Sequence, residues 1–172
     1  MAFIEIPDGD GTNMERAFAL RPEVYAAWRQ LVEAVKASSD ERRYELATLA
    51  AARRLRSSYC SLAHGKVLAE QFYDVETVPV LPDGLDAPDR AIMAFAEKIV
   101  GDATAVTQAD IEELRAVGLS DGEIFDVVLA ATIRCFFSKT LDALGVQPDS
   151  EFAALDPAFR EALTVGRPIE TA

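Results

Sequence analysis

Between Arg21 and Tyr73 the apolar residues recur every three or four positions in three successive segments, and this periodicity restricts the fold more than any other feature. Val24, Tyr25, Trp28, Leu31, Val32 and Val35 mark the first segment, which Pro22 opens. Ser38, Ser39 and Asp40 end it and cap a second, from about Glu41 to Leu55. There Tyr44, Leu46, Leu49 and Ala50 form a buried side, while Ala47, Ala51 and Ala52 let another helix approach closely. Arg53, Arg54 and Arg56 then break the apolar face, and Ser57 and Ser58 are N-cap residues for a third helix opening at about Tyr59. No strand pattern, Gly-rich phosphate loop or internal repeat accompanies them, so the sequence predicts an all-α fold.

The remaining chain extends this pattern. Pro79, Pro82, Gly84 and Pro88 exclude a helix from about Asp74 to Asp89, which reads as a connecting loop. An apolar stripe of Ile92, Phe95, Ala96 and Ile99 follows on a helix closed by Gly101. Thr107 with Asp110 caps a short helix ended by Gly118, and Ser120 with Glu123 is a capping box for the longest one, Asp121 to Leu144. Apolar residues lie on more than one side of that helix, which predicts burial against a second subunit. Residues 1–20 read as an irregular leader and 147–172 as a tail with a short helix, around a single domain covering 1–172.

Three chemically active side chains fall in the middle of the periodic region. Cys60 and His64 are four residues apart, one turn above each other on a helix. Glu45 lies fifteen residues before Cys60 and reaches the same place only if the chain folds back near Arg56. Cys60 then sits in the first turn of its helix, where unpaired N–H groups and the macrodipole favour a thiolate. Such a thiol is poised for nucleophilic or redox chemistry, with His64 as proton acceptor and Glu45 orienting it. The same cysteine also suits an Ala-rich core as a small hydrophobe, and the spacing leaves both readings open.

Glu45, eleven residues, Ser57-x-x-Cys60, three residues and His64 reproduce the intervals of a known signature, including a Tyr59-Cys60 pair. The chain thereby resembles the AhpD-like and carboxymuconolactone decarboxylase superfamily, whose motif has Cys-x-x-Cys where this sequence has Ser57-x-x-Cys60. The stretch from Gly118 to Arg134, with Leu141 to Val146, is similar to the C-terminal part of uncharacterised peroxidase-related members. The resemblance implies a bundle of about six or seven helices assembled as a homo-trimer or homo-hexamer. It also implies the reactive cysteine at Cys60, its base at His64 and the relay carboxylate at Glu45. Ser57 stands at the resolving position and has no sulfur, so an external thiol reductant is the expected partner. Tyr59 and Trp28 are candidates for the substrate-binding wall. Cys135, on the longest helix, would substitute for the missing sulfur only if its Cα came within ~7 Å of that of Cys60.

Two activities follow from this resemblance. One is a peroxidase-type oxidoreductase working through Cys60; the other is a lyase or isomerase in which His64 and Glu45 move protons on a small organic acid. A helical oligomer without catalysis is the third expectation. For an acid substrate, Arg53, Arg56 or Arg134 would supply positive charge. The formal net charge of −12 over 172 residues argues against nucleic acid or an anionic membrane surface as partner. Met1 to Asp10 lacks the basic start and apolar run of an export signal, and no apolar run approaches a membrane span, so a cytoplasmic setting is expected. A single histidine and two cysteines without paired ligand spacing call for no metal, and nothing in the sequence calls for a cofactor.

Overall fold

The computed structural model describes residues 2–171, and among them there are helices and turns but no strand. Eight α-helices follow one another: α1 Asn13–Phe18, α2 Pro22–Ser38, α3 Glu41–Leu55, α4 Ser58–Gln71, α5 Ala87–Asp102, α6 Gln108–Ala116, α7 Asp121–Leu144 and α8 Pro157–Leu163. Short 3-10 turns at Val78–Val80, Ala103–Ala105 and Ser150–Ala154 fill three of the connections.

The centre is α3. Every residue from Tyr44 to Ala52 is buried, so this helix has no solvent face and packs against α4, α5 and α7 together. Its run of alanines is what permits this, because four of those nine positions carry only a methyl group and the neighbouring backbones come close. Glu45, 1 % exposed, is the one charged side chain in that buried stretch.

The turn between α3 and α4 is made by Arg56, a non-glycine residue at φ 58°, in the left-handed region. Its N–H closes onto Ala52 and Arg53 carbonyls, and its guanidinium Nε reaches the Val165 carbonyl at 3.3 Å. The tail holds this turn from outside: Gly166 N–H donates to Ser58 Oγ at 2.8 Å. A Cβ on Gly166 would lie 1.9 Å from the Arg56 carbonyl oxygen, so only glycine admits that approach. The expected fold-back between Glu45 and Cys60 is therefore present.

One feature differs from the sequence reading. Inside the segment expected to be irregular, Thr12 and Glu15 form a capping box that starts α1, and Asn13, Ala17 and Phe18 are buried. Phe18 stacks on Phe137 with centroids 5.2 Å apart, which ties this helix to the core. Gly65, in mid-α4, faces α8, where a Cβ would meet Leu163 and Phe159. Close packing explains that glycine.

A buried carboxylate joins the outer helices. Asp89 of α5, 1 % exposed, accepts from Arg42 Nη1 and from Arg43 Nε at 3.3 Å, while Arg43 Nη1 reaches Glu123 of α7 at 2.7 Å. The loop after α4 is a connector pinned by Arg53, whose guanidinium donates to the carbonyls of Leu81 at 2.7 Å and Val78 at 2.8 Å. Among the described residues no helix is long and apolar enough to cross a membrane.

Candidate active site

α2, α3, α4 and α7 line a half-open cavity of about 310 Å³, with Met14 of α1 also in its lining. Cys60, Ala63 and His64 of α4 form its floor, Tyr25, Trp28 and Phe137 one wall, and Arg29, Glu33 and Lys36 its mouth. Cys60 is the third residue of α4, in the first turn as expected, and is 1 % exposed.

The fold-back brings Glu45 to His64. His64 Nδ1 lies 2.5 Å from Glu45 Oε2, and Lys36 Nζ donates to the other carboxylate oxygen at 3.0 Å. Burial pushes the Glu45 pKa up, but the hydrogen bond and charge of His64 and those of Lys36 outweigh it and bring it down to about 2. An ionised carboxylate only accepts, so Nδ1 carries the ring proton and Nε2 is left with its lone pair for whatever enters the cavity. For His64, burial and then the Arg134 charge lower the pKa from 6.5, against the raising effect of Glu45. The ring is neutral near pH 7, with 17 % of the side chain open to the cavity.

The thiol has a different partner from the one expected. Arg134 Nη1, not His64, is the group within hydrogen-bond reach of Cys60 Sγ, at 3.5 Å. Arg134 is 3 % exposed, its guanidinium lies 5.5 Å from the Phe137 ring centroid, and among the described residues no carboxylate forms an ion pair with it. Burial works to lower the Arg134 pKa, but the proximity of Cys60, Tyr44 and Glu45 raises it on balance, so it stays a cation. Cys60 and His64 meet across the cavity they share instead of through a direct hydrogen bond.

Of the three arginines proposed from sequence as positive charge, only Arg134 reaches the cavity; Arg53 pins the loop and Arg56 makes the turn. Lys36 and Tyr44 were not anticipated, since nothing in local spacing links them to Glu45 or Cys60. Trp28 does line the cavity, stacked on Phe137 at 4.1 Å. Tyr59 lines it too, with its hydroxyl tied to Asp149. Ser57 does not. It is fully buried at the N-cap position of α4 but makes no capping hydrogen bond, and its hydroxyl has no hydrogen-bond partner among the described residues.

Both cysteines are free, and Cys135, next to Arg134 in sequence, is not among the cavity-lining residues. Burial pushes the Cys135 thiol pKa up. Arg42, three residues before Glu45, is turned to Asp89 and to Tyr73 Oη at 3.0 Å. No cluster of three or more His, Cys, Asp or Glu side chains among the described residues is placed to hold a metal ion.

No protein-family model matches this chain, and no curated protein matches it. Solved structures do. An uncharacterised peroxidase-related protein from Ralstonia eutropha with an alkylhydroperoxidase AhpD core superposes with a TM-score of 0.76 at 22 % identity, covering 88 % of this chain and 94 % of the other. A peroxidase-related protein from a Silicibacter species gives 0.76 at 21 % identity, covering 83 % and 79 %. The debrominase Bmp8, solved as a cysteine-to-alanine variant in complex with 2,3,4-tribromopyrrole, gives 0.69 at 15 % identity, covering 88 % and 83 %. At these identities the likeness speaks for architecture, and the architecture is that of the AhpD-like all-α bundle.

Proposed function

We propose that this chain is a single-domain AhpD-like oxidoreductase of the thiol peroxidase type, with Cys60 as nucleophile, His64 as proton carrier, Glu45 holding His64 and Arg134 favouring the thiolate. The observation that carries this reading is the convergence of a thiol, a buried cation and an imidazole on one cavity, the imidazole held by the buried Glu45 carboxylate. The Cys60 proton passes to His64 Nε2. The sulfur attacks a peroxide oxygen, the O–O bond breaks, and the departing alkoxide or hydroxide takes the proton from His64, leaving a sulfenic acid on Cys60. An external thiol condenses with the sulfenic acid, releasing water and forming a mixed disulfide. A second thiol then frees Cys60 and leaves as the oxidised disulfide. Ser57 lies off the cavity and Cys135 does not line it, which is why both thiols are external.

A reducing cytoplasm would supply such thiols. The assembly proposed is a homo-oligomer meeting along α7, where Phe125 and Phe136 stand 60 % and 47 % exposed, eleven residues apart on one stripe.

A second reading has support in the size and lining of the cavity. About 310 Å³ walled by aromatic rings is far more than hydrogen peroxide requires, and it suits acid–base chemistry by His64 on a small organic acid. Peroxide consumption with a dithiol as reductant separates the two. Cys60→Ser is expected to abolish it, and undiminished turnover in that variant would remove the thiol reading. A proton-transfer reaction that survives Cys60→Ser and is lost in His64→Gln would establish the second.

A further inference from the structure

The Glu45 carboxylate is 1 % exposed and both of its oxygens are taken, Oε2 by His64 Nδ1 at 2.5 Å and Oε1 by Lys36 Nζ at 3.0 Å. Among the described residues, Lys36 and His64 are the two groups that form an ion pair with it. Arg134 is close enough for its charge to act on His64, but it sends its Nη1 to Cys60. A buried carboxylate needs a cation beside it, and with an imidazole alone for a partner it would draw a second proton onto the ring. An imidazolium is a donor at both nitrogens and has no lone pair for the Cys60 proton.

The fold holds Lys36 at this carboxylate. Its neighbour Val35 is the one buried residue of α2, and Ser38 Oγ donates to Asp126 of α7 at 3.2 Å, so the end of the helix that carries the lysine is fixed to the bundle. The ammonium lies 5.2 Å from the Tyr44 ring centroid and 3.8 Å from Glu41. The other charged and titratable groups around His64 are Arg134 of α7, Cys60 of its own helix, and Arg29 and Glu33 of α2, which pair with each other at 3.6 Å. Of all these, Lys36 alone touches the carboxylate.

We propose that Lys36 is a positioning residue for this site: by balancing the charge of Glu45 it leaves His64 neutral, with its proton on Nδ1 and its Nε2 lone pair free. This deepens the thiol reading and rests on it in taking His64 as the acceptor of the Cys60 proton. Lys36 acts through Glu45 and makes no contact with the sulfur. About a third of its side chain is open to water, so its field at the ring is partly screened, and its loss should move His64 by about 0.5 to 1 pH, below the range of about 1–3 for a close charge out of water.

His64 is the only histidine, so nitrogen NMR of tag-free protein with isotope-labelled histidine shows a single imidazole and needs no assignment. At neutral pH the unsubstituted chain should show one protonated and one bare ring nitrogen, with the proton on Nδ1. Lys36→Met should raise the midpoint of the ring titration by at least about 0.5 pH. Lys36→Gln, which keeps an N–H donor for Glu45 without the charge, should do the same, and Lys36→Arg, which keeps the charge, should leave the midpoint where it was. A lysine that only packs would move none of these, and circular dichroism confirms that each variant is folded. An unmoved midpoint in the two neutral variants, an equal rise in Lys36→Arg, or an imidazolium at neutral pH in the unsubstituted chain overturns the proposal. Peroxide turnover is measured separately, and its acid limb should rise with the ring midpoint. The expected ring behaviour without turnover in any of the proteins would leave this inference standing and remove the thiol reading; turnover with an unmoved ring midpoint would do the reverse.

Discussion

Arg134 Nη1 lies 3.5 Å from Cys60 Sγ although 74 residues separate them in sequence. A buried guanidinium stabilises negative charge that develops on that sulfur, and the first turn of α4 adds its N–H dipoles. Arg134→Gln should therefore slow alkylation of Cys60 by iodoacetamide at neutral pH by about tenfold, the effect of losing one close charge. Stopped-time mass spectrometry on the Cys135→Ser background reads Cys60 alone, and circular dichroism confirms that the bundle persists. An unchanged rate would mean that the contact is only packing.

The state of His64 sets the pH range of any chemistry that uses it as a base. Burial and the Arg134 charge hold its pKa below 6.5, so the ring remains neutral down through that value and is lost as a base only on further acidification. The acid limb of the peroxidase rate should fall below pH 6.5 and move upward in Arg134→Gln, because one lowering influence is gone. Glu45→Gln should shift it the other way and also reduce the rate by about ten- to a hundredfold, as the ring loses the group that orients it. Stability follows the same sign. His64 and Glu45 both have depressed values in the fold, so their contribution is complete above pH 6.5, declines as pH falls toward the lowered His64 value, and declines again toward about 2 as Glu45 protonates. Urea titrations at a series of pH values, compared with His64→Gln, would show the upper decline flattened in the variant.

Only one of the two cysteines should record peroxide. Cys135 does not line the cavity and its thiol pKa is pushed up by burial, so it is a poor nucleophile at neutral pH. One equivalent of hydrogen peroxide is expected to yield a sulfenic acid on Cys60 that dimedone traps, with no disulfide to Cys135. Cys135→Ser should keep at least about half of the turnover, since a half-buried thiol outside the site, replaced by a residue of similar size, has small effects on either fold or chemistry. An intramolecular Cys60–Cys135 disulfide in the intact mass would contradict the site described here.

How much of this was legible in the sequence depends on the range of each interaction. Helix ends are local, and the Ser120–Glu123 pair and the left-handed Gly145 close α7 where the sequence places them. Thr12–Glu15 is as local a signal, but Pro7, Gly9 and Gly11 obscured it, so α1 went unread. The meeting of Glu45 and His64 follows from their spacing once the chain reverses, yet the reversal itself uses Arg56 in a conformation that propensity assigns to glycine. Arg134 and Lys36 have no such trace. Each comes from a different helix, and only the way α2 and α7 pack on α3 carries them to the cysteine and the carboxylate. The close packing at Gly65 leaves no local trace, because its neighbour across space, Leu163, is almost a hundred residues away.

The Asp89 cluster gives a test of what holds α3, α5 and α7 together. Asp89 is 1 % exposed while the side chains of Arg42 and Arg43 are about a third and a quarter open to water, so removing the carboxylate strands neither cation completely. Asp89→Ala should cost about 2 to 3 kcal/mol, less than the 3–5 of a fully buried pair, because the freed guanidinia can rehydrate. Chemical denaturation reads this as a lower midpoint with an unchanged slope. A loss under about 0.5 kcal/mol would place this cluster with ordinary surface pairs.

Gly65→Ala sets two opposed effects against each other. In the middle of α4 alanine is the better helix former by about 1 kcal/mol. On the other side, the new methyl would lie 2.3 Å from Leu163 Cδ1 and 3.3 Å from Phe159 Cζ, two side chains that are 0 % and 2 % exposed and have nowhere to retreat. Overpacking of a closed site costs about 1–3 kcal/mol, so the variant should be destabilised on balance by about 1 kcal/mol or more. Shortening the opposing residue relieves the clash: Leu163→Ala alone should cost about 2–5 kcal/mol as a cavity mutant. Combined with Gly65→Ala it should cost less than the sum of the two, a coupling of at least about 0.5 kcal/mol in a double-mutant cycle. Because Gly65 faces α8 while Cys60 and His64 face the cavity, the alkylation rate of Cys60 should be the same in all four proteins. A rate that follows stability across the cycle would show that α8 supports the site as well as the fold.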